Sequence, residues 1–257
     1  MKITVLGCGS SGGVPMVGLG WGDCDPNEPR NRRTRASIIV EDHETRLLVD
    51  VSPDLREQLL AADISTLDAV LLTHAHADHC HGIDDIRWIN IAMSAVVPAY
   101  GDAATLAEVG RRFPYAFEPL REFSNGRYYK PTMEPREIDG PFTVGSIDVL
   151  PFEQDHGFST TLGFRFGAFA YSTDLIALDE AAFAALDGVE LWVVDAFGRK
   201  PGHPTHAHLD LTLSWIERVK PRRAVITHMG SGLDYATLKE ELPDGVEPGY
   251  DGMVLEV

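Results

Sequence analysis

The stretch Thr73-His74-Ala75-His76-Ala77-Asp78-His79-Cys80-His81-Gly82 constrains this chain more than any other, because it follows the apolar run Leu67-Asp68-Ala69-Val70-Leu71-Leu72. Four of the ten histidines fall within eight residues, where a buried strand ends and an exposed loop begins. That placement favours ligation over packing. His74 and His76, two apart in an extended loop, can aim both imidazoles at one ion, while Asp78 and His79, entering the next helix, diverge toward a second. A histidine-rich surface loop has the same local composition, but it would not come with remote partners.

Three such partners are present. His156 lies in Glu153-Gln154-Asp155-His156-Gly157-Phe158-Ser159-Thr160, Asp174 closes Phe169-Ala170-Tyr171-Ser172-Thr173-Asp174, and His228 closes Ala224-Val225-Ile226-Thr227-His228. Each stands where a strand pattern stops, so strand ends meeting at one edge would bring them to the cluster. The expected first site is His74, His76 and His156; the second is Asp78, His79 and His228, with Asp174 bridging. Imidazole and carboxylate ligands without thiolate suit zinc first, and accept manganese or iron. Two ions roughly 3.5–4 Å apart would hold a bridging hydroxide at neutral pH, which is hydrolytic machinery. Asp78 is counted with the catalytic groups as well as with the ligands. An acid is still needed for the leaving alkoxide, and His203, His206 and His208 all qualify; His206 is preferred because it precedes a helix.

The remaining pattern alternates strands and helices. Strands are expected at 2–6, 36–41, 45–50, 67–73, 96–100, 142–145, 147–152, 161–166, 168–172, 191–195, 224–228 and 252–257. Helices are expected at 53–62, 78–92, 103–112, 179–186, 207–219 and 234–241. The aromatic and proline-rich segment 113–140 has no clear period; it could form a lid or a homodimer contact, and packing within the fold is the simpler reading. No internal repeat shows in the sequence. Strand-rich halves, each with helices, point to two sheets packed face to face under outer helices. At 257 residues and 44 % apolar content, one domain over 1–257 is the expectation.

Gly7, Gly9 and Gly12 meet the spacing of a dinucleotide fingerprint, but a polar loop follows them instead of a helix. Bare amides near Ser10 and Ser11 could still line a pocket for an anionic group. Arg30, Arg32, Arg33 and Arg35 read either as a solvated face or as a phosphate clamp. Ser10, Ser11, Arg33 and Ser231 are the candidate substrate contacts. Asp50, at a strand end, reads either as an ordinary turn carboxylate or as the partner of a ligating imidazole. A net charge of −17 argues against long nucleic acids and anionic membranes as partners. Three scattered cysteines, no apolar membrane-length run and a short apolar start lead to an expected cytoplasmic protein.

On His74-Ala75-His76-Ala77-Asp78-His79, His156, Asp174 and His228, in that order, the chain resembles the metallo-β-lactamase superfamily over nearly its whole length. The glycine-rich start Leu6–Gly13, Asp174 in place of a cysteine, Val194-Asp195, Thr227-His228 and Gly249-Tyr250-Asp251-Gly252-Met253 make it most similar to the phosphodiesterase branch. That branch includes the cyclic-phosphoribose phosphodiesterase of phosphonate breakdown and, more distantly, the transfer-RNA 3′-end endonucleases. The resemblance implies a four-layer αββα sandwich with two divalent metals at one edge, zinc or manganese. It implies support from Asp50 and Asp195, and it selects His206 as proton donor through His206-x-x-Leu209. The implied substrate is a small phosphodiester: a cyclic phosphate, a sugar phosphate or a nucleotide. Relatives on the same scaffold suggest an iron-dependent redox or quinone-cofactor role, or an RNA-processing endonuclease, as alternatives. The phosphonate enzyme holds a further zinc through clustered cysteines and a histidine beyond the last ligand. Here Cys24 stands alone and Ser231 is near the histidine's place, so no third zinc is expected.

Overall fold

A computed structural model of the chain describes residues 1–121 and 126–257. The first half runs β1 (Lys2–Gly7), β2 (Ser37–Asp42), β3 (Thr45–Val49), α1 (Leu55–Ala61), β4 (Ala69–Leu71), α2 (Ala77–Cys80), α3 (Ile86–Met93), β5 (Val97–Gly101), α4 (Ala103–Arg112), α5 (Pro114–Phe117) and β6 (Met133–Glu137). The second runs β7 (Phe142–Val144), β8 (Ile147–Asp155), β9 (Thr160–Phe166), β10 (Phe169–Ser172), α6 (Glu180–Leu186), β11 (Leu191–Asp195), α7 (Leu209–Val219), β12 (Arg223–Thr227), α8 (Tyr235–Glu241), β13 (Val246–Pro248) and β14 (Met253–Glu256). Among the described residues these strands form two seven-stranded sheets, ordered β14-β1-β2-β3-β4-β5-β6 and β13-β12-β11-β10-β9-β8-β7.

The central strands of both sheets are buried on both faces, and the strand period of two sorts side chains between layers. Ile38, Val40, Leu47, Val49, Ala69 and Leu71 face the second sheet and meet Phe164, Phe166, Phe169 and Tyr171 in the central core. Their neighbours Ile39, Leu48, Val70 and Leu72 point the other way, onto Leu55, Leu59, Ile86 and Ile89 of the helices. On the far side, Ala182, Leu186, Trp215, Ile216 and Leu238 of α6, α7 and α8 cover the second sheet. The architecture is the four-layer αββα sandwich expected from the sequence.

The sheets share a plan. Starting from β14 in one and β7 in the other, three antiparallel ladders are followed by three parallel ones. Parallel strands need crossovers, so helices enter at corresponding points and strand ends collect at one edge. The chain therefore carries a topological repeat of which its sequence shows no trace.

Two expectations need correction. The helix expected over 78–92 is broken: α2 ends at Cys80, a short 3₁₀ turn covers Ile83–Asp85, and α3 begins at Ile86. The cause is Gly82, whose N–H donates to the Val51 carbonyl at 2.8 Å and where a Cβ would lie 2.0 Å from the Ser52 carbonyl oxygen. Strands β6 and β13 were not expected. In the segment 113–140, residues 122–125 lie outside the described residues, while Phe113, Tyr115 and Phe117 pack on the helix-side core and Met133 is buried. That segment thus packs through these residues, while much of the rest of its described part is exposed.

Gly82→Ala should therefore destabilise the protein by about 1–3 kcal/mol through overpacking. Urea unfolding should show a lower midpoint with an unchanged slope; an unshifted midpoint would mean that the Gly82–Ser52 contact does not limit this turn.

Candidate metal centre

Strand ends deliver six members of the site, while His76 caps α2, Asp78 and His79 lie within it, and His206 comes from the loop before α7. Asp50 follows β3, His74 follows β4, His156 follows β8, Asp174 follows β10, Asp195 ends β11 and His228 follows β12. Asp50, Asp174 and His228 all have positive φ, at 64°, 57° and 53°. Aspartate and histidine are among the side chains most often found in this left-handed region, and its recurrence at three site residues marks tight turns at the strand ends.

Asp174 is the hub. Its Oδ1 faces His74 Nε2 at 3.7 Å and His156 Nε2 at 4.0 Å, while its Oδ2 faces His79 Nε2 and His228 Nε2, both at 3.2 Å. Asp78 Oδ2 lies 3.2 Å from His79 Nε2 and 3.5 Å from His228 Nε2. His76, the exposed member, turns Nδ1 toward His156 Nε2 at 3.4 Å. The structure thus gathers His74, His76, His156 and Asp174 into one ligand set and Asp78, His79, Asp174 and His228 into another, each with donor atoms within 4.8 Å of one another.

The imidazole tautomers follow from their outer partners. Asp50 accepts from the Thr73 hydroxyl at 2.8 Å and from His79 Nδ1–H at 2.7 Å. Because the Thr73 proton is committed to Asp50, its oxygen accepts from His74 Nδ1–H at 3.0 Å. His156 Nδ1–H donates to the Thr205 carbonyl at 2.8 Å. One buried carboxylate therefore sets two rings, and Nε2 is left to face the centre in His74, His79 and His156. Nε2 of His74, His79 and His228 is buried without a hydrogen-bond partner. Orphaned buried nitrogens beside carboxylates fit divalent cations, and nitrogen with oxygen donors suits zinc.

Electrostatics tell the same story. Burial acts most strongly on Asp174 and would raise its carboxyl, yet the charges of His228, His79 and His74 outweigh it and hold the group well below the carboxylate range. For His228, burial opposes charge, but Asp174, Asp78 and Asp195 push the imidazole up to about 9. His74, with fewer carboxylates around it, is lowered by burial. The pocket is built for positive charge.

His206 stands at the rim. Its Nδ1–H donates to Asp195 Oδ2 at 3.1 Å, and its Nε2 lies 4.0 Å from Asp174 Oδ1. The ring stacks between Phe197 at 5.2 Å and His228 at 4.7 Å, with interplanar angles of 19° and 23°. The other carboxylate oxygen of Asp195 is 3.7 Å from His228 Nδ1. His203 touches Phe197 and His206 from the exposed side, with its Nδ1 beside Thr205, whereas His208 is the N-cap of α7. Thr73, Thr205 and Phe197 were not singled out from the sequence: Thr73 sat in plain view at the head of the motif, and the other two carry no local signal.

The arginine-rich loop does not form a shared clamp. Arg30 pairs with Glu28, Arg35 with Asp54, and Arg32 lies over Trp21. Arg33 is buried, with its guanidinium 3.3 Å from Asn31 Oδ1, 3.4 Å from the Gly230 carbonyl and 4.0 Å from Cys24 Sγ. Its terminal nitrogens join the first long loop to the segment after His228, while its Nε is buried without a partner, so Arg33 stands inside the fold and not on the open face expected of a substrate contact. Ser231 packs against Gly22 and accepts through its carbonyl from Asp23 N–H at 2.9 Å. Ser10 is buried, with its N–H donating to Met229; Ser11 is exposed.

The model of the beta-lactamase superfamily domain matches residues 45–229. A solved diphosphatase from the PhnP family is 32 % identical, with a TM-score of 0.90 over 100 % of this chain and 97 % of that one. Zinc-bound PqqB from Methylobacterium extorquens superposes over 100 % of both chains with a TM-score of 0.75 at 19 % identity, which is a likeness of fold. An octanoyltransferase of Porphyromonas gingivalis is 32 % identical over 98 % of this chain, which spans 51 % of that protein's length. Among the described residues, no helix is long and apolar enough to cross a membrane.

Asp50→Ala should release both imidazoles and lower metal affinity by about 10–100-fold, as loss of an outer partner typically does; competition with a chromogenic chelator would measure it, and unchanged affinity would remove Asp50 from that role. Cys8, Cys24 and Cys80 are buried and unpaired, and burial pushes Cys80 up to about 11. At pH 8 a disulfide reagent should find these thiols slow in the native protein and fast in urea.

Proposed function

Since the chain belongs to the metallo-β-lactamase superfamily, we propose that it is a dinuclear metal-dependent hydrolase and, more narrowly, that it cleaves a small phosphodiester. The observation that carries this reading is Asp174, whose two oxygens face two separate imidazole sets. Divalent ions held there supply an activated water and neutralise charge on the phosphoryl oxygens. His74, His76 and His156 would hold one ion, Asp78, His79 and His228 the other, with Asp174 shared. Zinc is the first choice of metal and manganese the second.

His206 is proposed as the acid. Its outer nitrogen is tied to Asp195 at 3.1 Å, which orients the ring and turns Nε2 toward the centre. The stack of Phe197, His206 and His228 fixes the plane of that ring, so the proton is presented from one side only. A leaving alkoxide bound opposite the attacking water would take it.

The similarity to a diphosphatase at 32 % identity supports phosphoryl chemistry, with a cyclic phosphate, a sugar phosphate or a nucleotide as the substrate class. Acyl transfer, suggested by the octanoyltransferase name, needs an activated nucleophile; the nearest thiol in sequence, Cys80, is buried and raised to about 11. The net charge of −17 weighs against long RNA. The three unpaired thiols support a reducing, cytoplasmic setting, and one domain over 1–257 accounts for the shared sandwich.

His76→Ala should abolish metal-dependent hydrolysis of a chromogenic bis-aryl phosphodiester; full retained activity would sink the proposal. His206→Ala should keep its metals yet lose roughly 10²–10⁴-fold with an alkyl leaving group, and far less with nitrophenolate. Equal losses for the two leaving groups would take His206 out of the acid role.

A further inference from the structure

Three large apolar side chains stand out as the most exposed among the described residues: Val17, essentially fully exposed, Phe158 at 88 % and Leu19 at 76 %. All three belong to loops whose bases are fastened beside the metal cluster. The loop carrying Val17 and Leu19 is bound at both ends to the segment after His228, through Ser10 N–H to the Met229 carbonyl at 3.1 Å and Asp23 N–H to the Ser231 carbonyl at 2.9 Å. Phe158 lies two residues after His156.

The Phe158 turn is rigid. The Phe158 N–H donates to the His156 carbonyl and the His156 N–H to the Ser159 carbonyl, both at 2.9 Å, while Gly157 N–H donates to Asp155 Oδ1 at 2.7 Å. Gly157 has φ 74°, and a Cβ there would lie 2.5 Å from the Pro204 carbonyl oxygen and 3.1 Å from Thr205 Cγ2. This turn is thus pressed against the loop that brings His203 and His206 to the rim. Leaving a phenyl group in water on so constrained a backbone forfeits the gain of burying it. The segments on either side of this contact carry flat rings at the rim: His156 meets His206 at 5.0 Å, and His203 meets both His206 and Phe197, at 4.8 and 4.6 Å.

We infer that Phe158 is a specificity-determining residue, a platform on which a planar ring carried by the substrate, a nucleobase or an aryl group, stacks while its phosphate is held at the metal cluster. An open aromatic face two residues from a ligand suits a flat partner better than a flexible alkyl chain, which gains most from an enclosing pocket. The phosphate end of this inference rests on the phosphodiester reading above; the ring end does not.

Calorimetric titration of the metal-loaded protein with adenosine 5′-monophosphate and ribose 5-phosphate, which differ only in the base, tests it. The nucleotide should bind more tightly. Phe158→Ala should weaken it by about tenfold, in the range for loss of one stacked base, leave ribose 5-phosphate unchanged, and be rescued by Phe158→Trp. With a bis-aryl phosphodiester the same variant should raise KM and leave kcat nearly unaltered. Equal affinity of the wild type for both probes, or equal losses for both in Phe158→Ala, would overturn the inference, as would a matching loss for octyl phosphate. Base-dependent binding without turnover would support this role of Phe158 while removing the hydrolase reading; intact turnover with base-independent binding would do the reverse.

Discussion

A single buried carboxylate facing four ligand imidazoles and a fifth at the rim is the condition on which this structure turns. Asp174 lies at the seam of two sheets, with Asp78 beside it and Asp50 and Asp195 behind, so four acidic groups converge on a volume nearly closed to water. Burying that much negative charge is costly unless positive charge accompanies it. Against the effect of burial, these carboxylates push His79 and His228 up, whereas burial lowers His74, His76 and His156. Divalent cations held by the same residues would compensate the carboxylates and displace protons, so folding and metal binding are coupled through one set of side chains.

The shared plan of the sheets explains how the charges came to meet. Asp50 and Asp174 leave corresponding strands, β3 and β10, each the last antiparallel strand before the parallel ladders begin, and both turn through positive φ. Their surroundings then part. Asp50 meets Thr73 and His79 and orients rings from outside, whereas Asp174 meets the inner nitrogens of the rings themselves. One topological position thus supplies both the centre of the site and its outer support. The mirrored geometry brings two strand-end carboxylates toward a common edge, and the imidazoles around each decide what it does.

Much of this was legible from residues. The His74–His79 motif could be read because its ligands are local and a strand-to-loop boundary limits where they can point; His156, Asp174 and His228 could be read because each ends a strand pattern. What escaped did so for physical reasons. In β6, Met133-Glu134-Pro135-Arg136-Glu137, the residues after Met133 are exposed, as an edge strand allows; β13 is only three residues long and also contains proline. The break after α2 depends on a backbone carbonyl of Ser52 approaching Gly82 across the fold. Arg33 looked like one more member of a solvated run, and only the neighbouring Gly230 carbonyl and Asn31 show that it is interior. Local sequence carries periodicity; it carries no record of which distant backbone will arrive.

Scaffold and specificity are separable here. The αββα layers are held at 19 % identity by a zinc-bound relative, so the fold tolerates nearly complete replacement of its side chains. Most ligands sit at strand ends that the layers hold, whereas Phe158, Val17 and Leu19 sit at the exposed tips of loops whose bases are tied to those ends by backbone hydrogen bonds and by Arg33 and Asp155. The tips can change their side chains without disturbing the ions, because the ties lie at the loop bases. Chemistry common to the superfamily can therefore stay at the sheet edge while recognition drifts at the rim. The tight turn at Gly157 is where the two join: it holds the His156 ligand on one side and the Phe158 platform on the other, so a side chain added there would alter cation binding and substrate choice together.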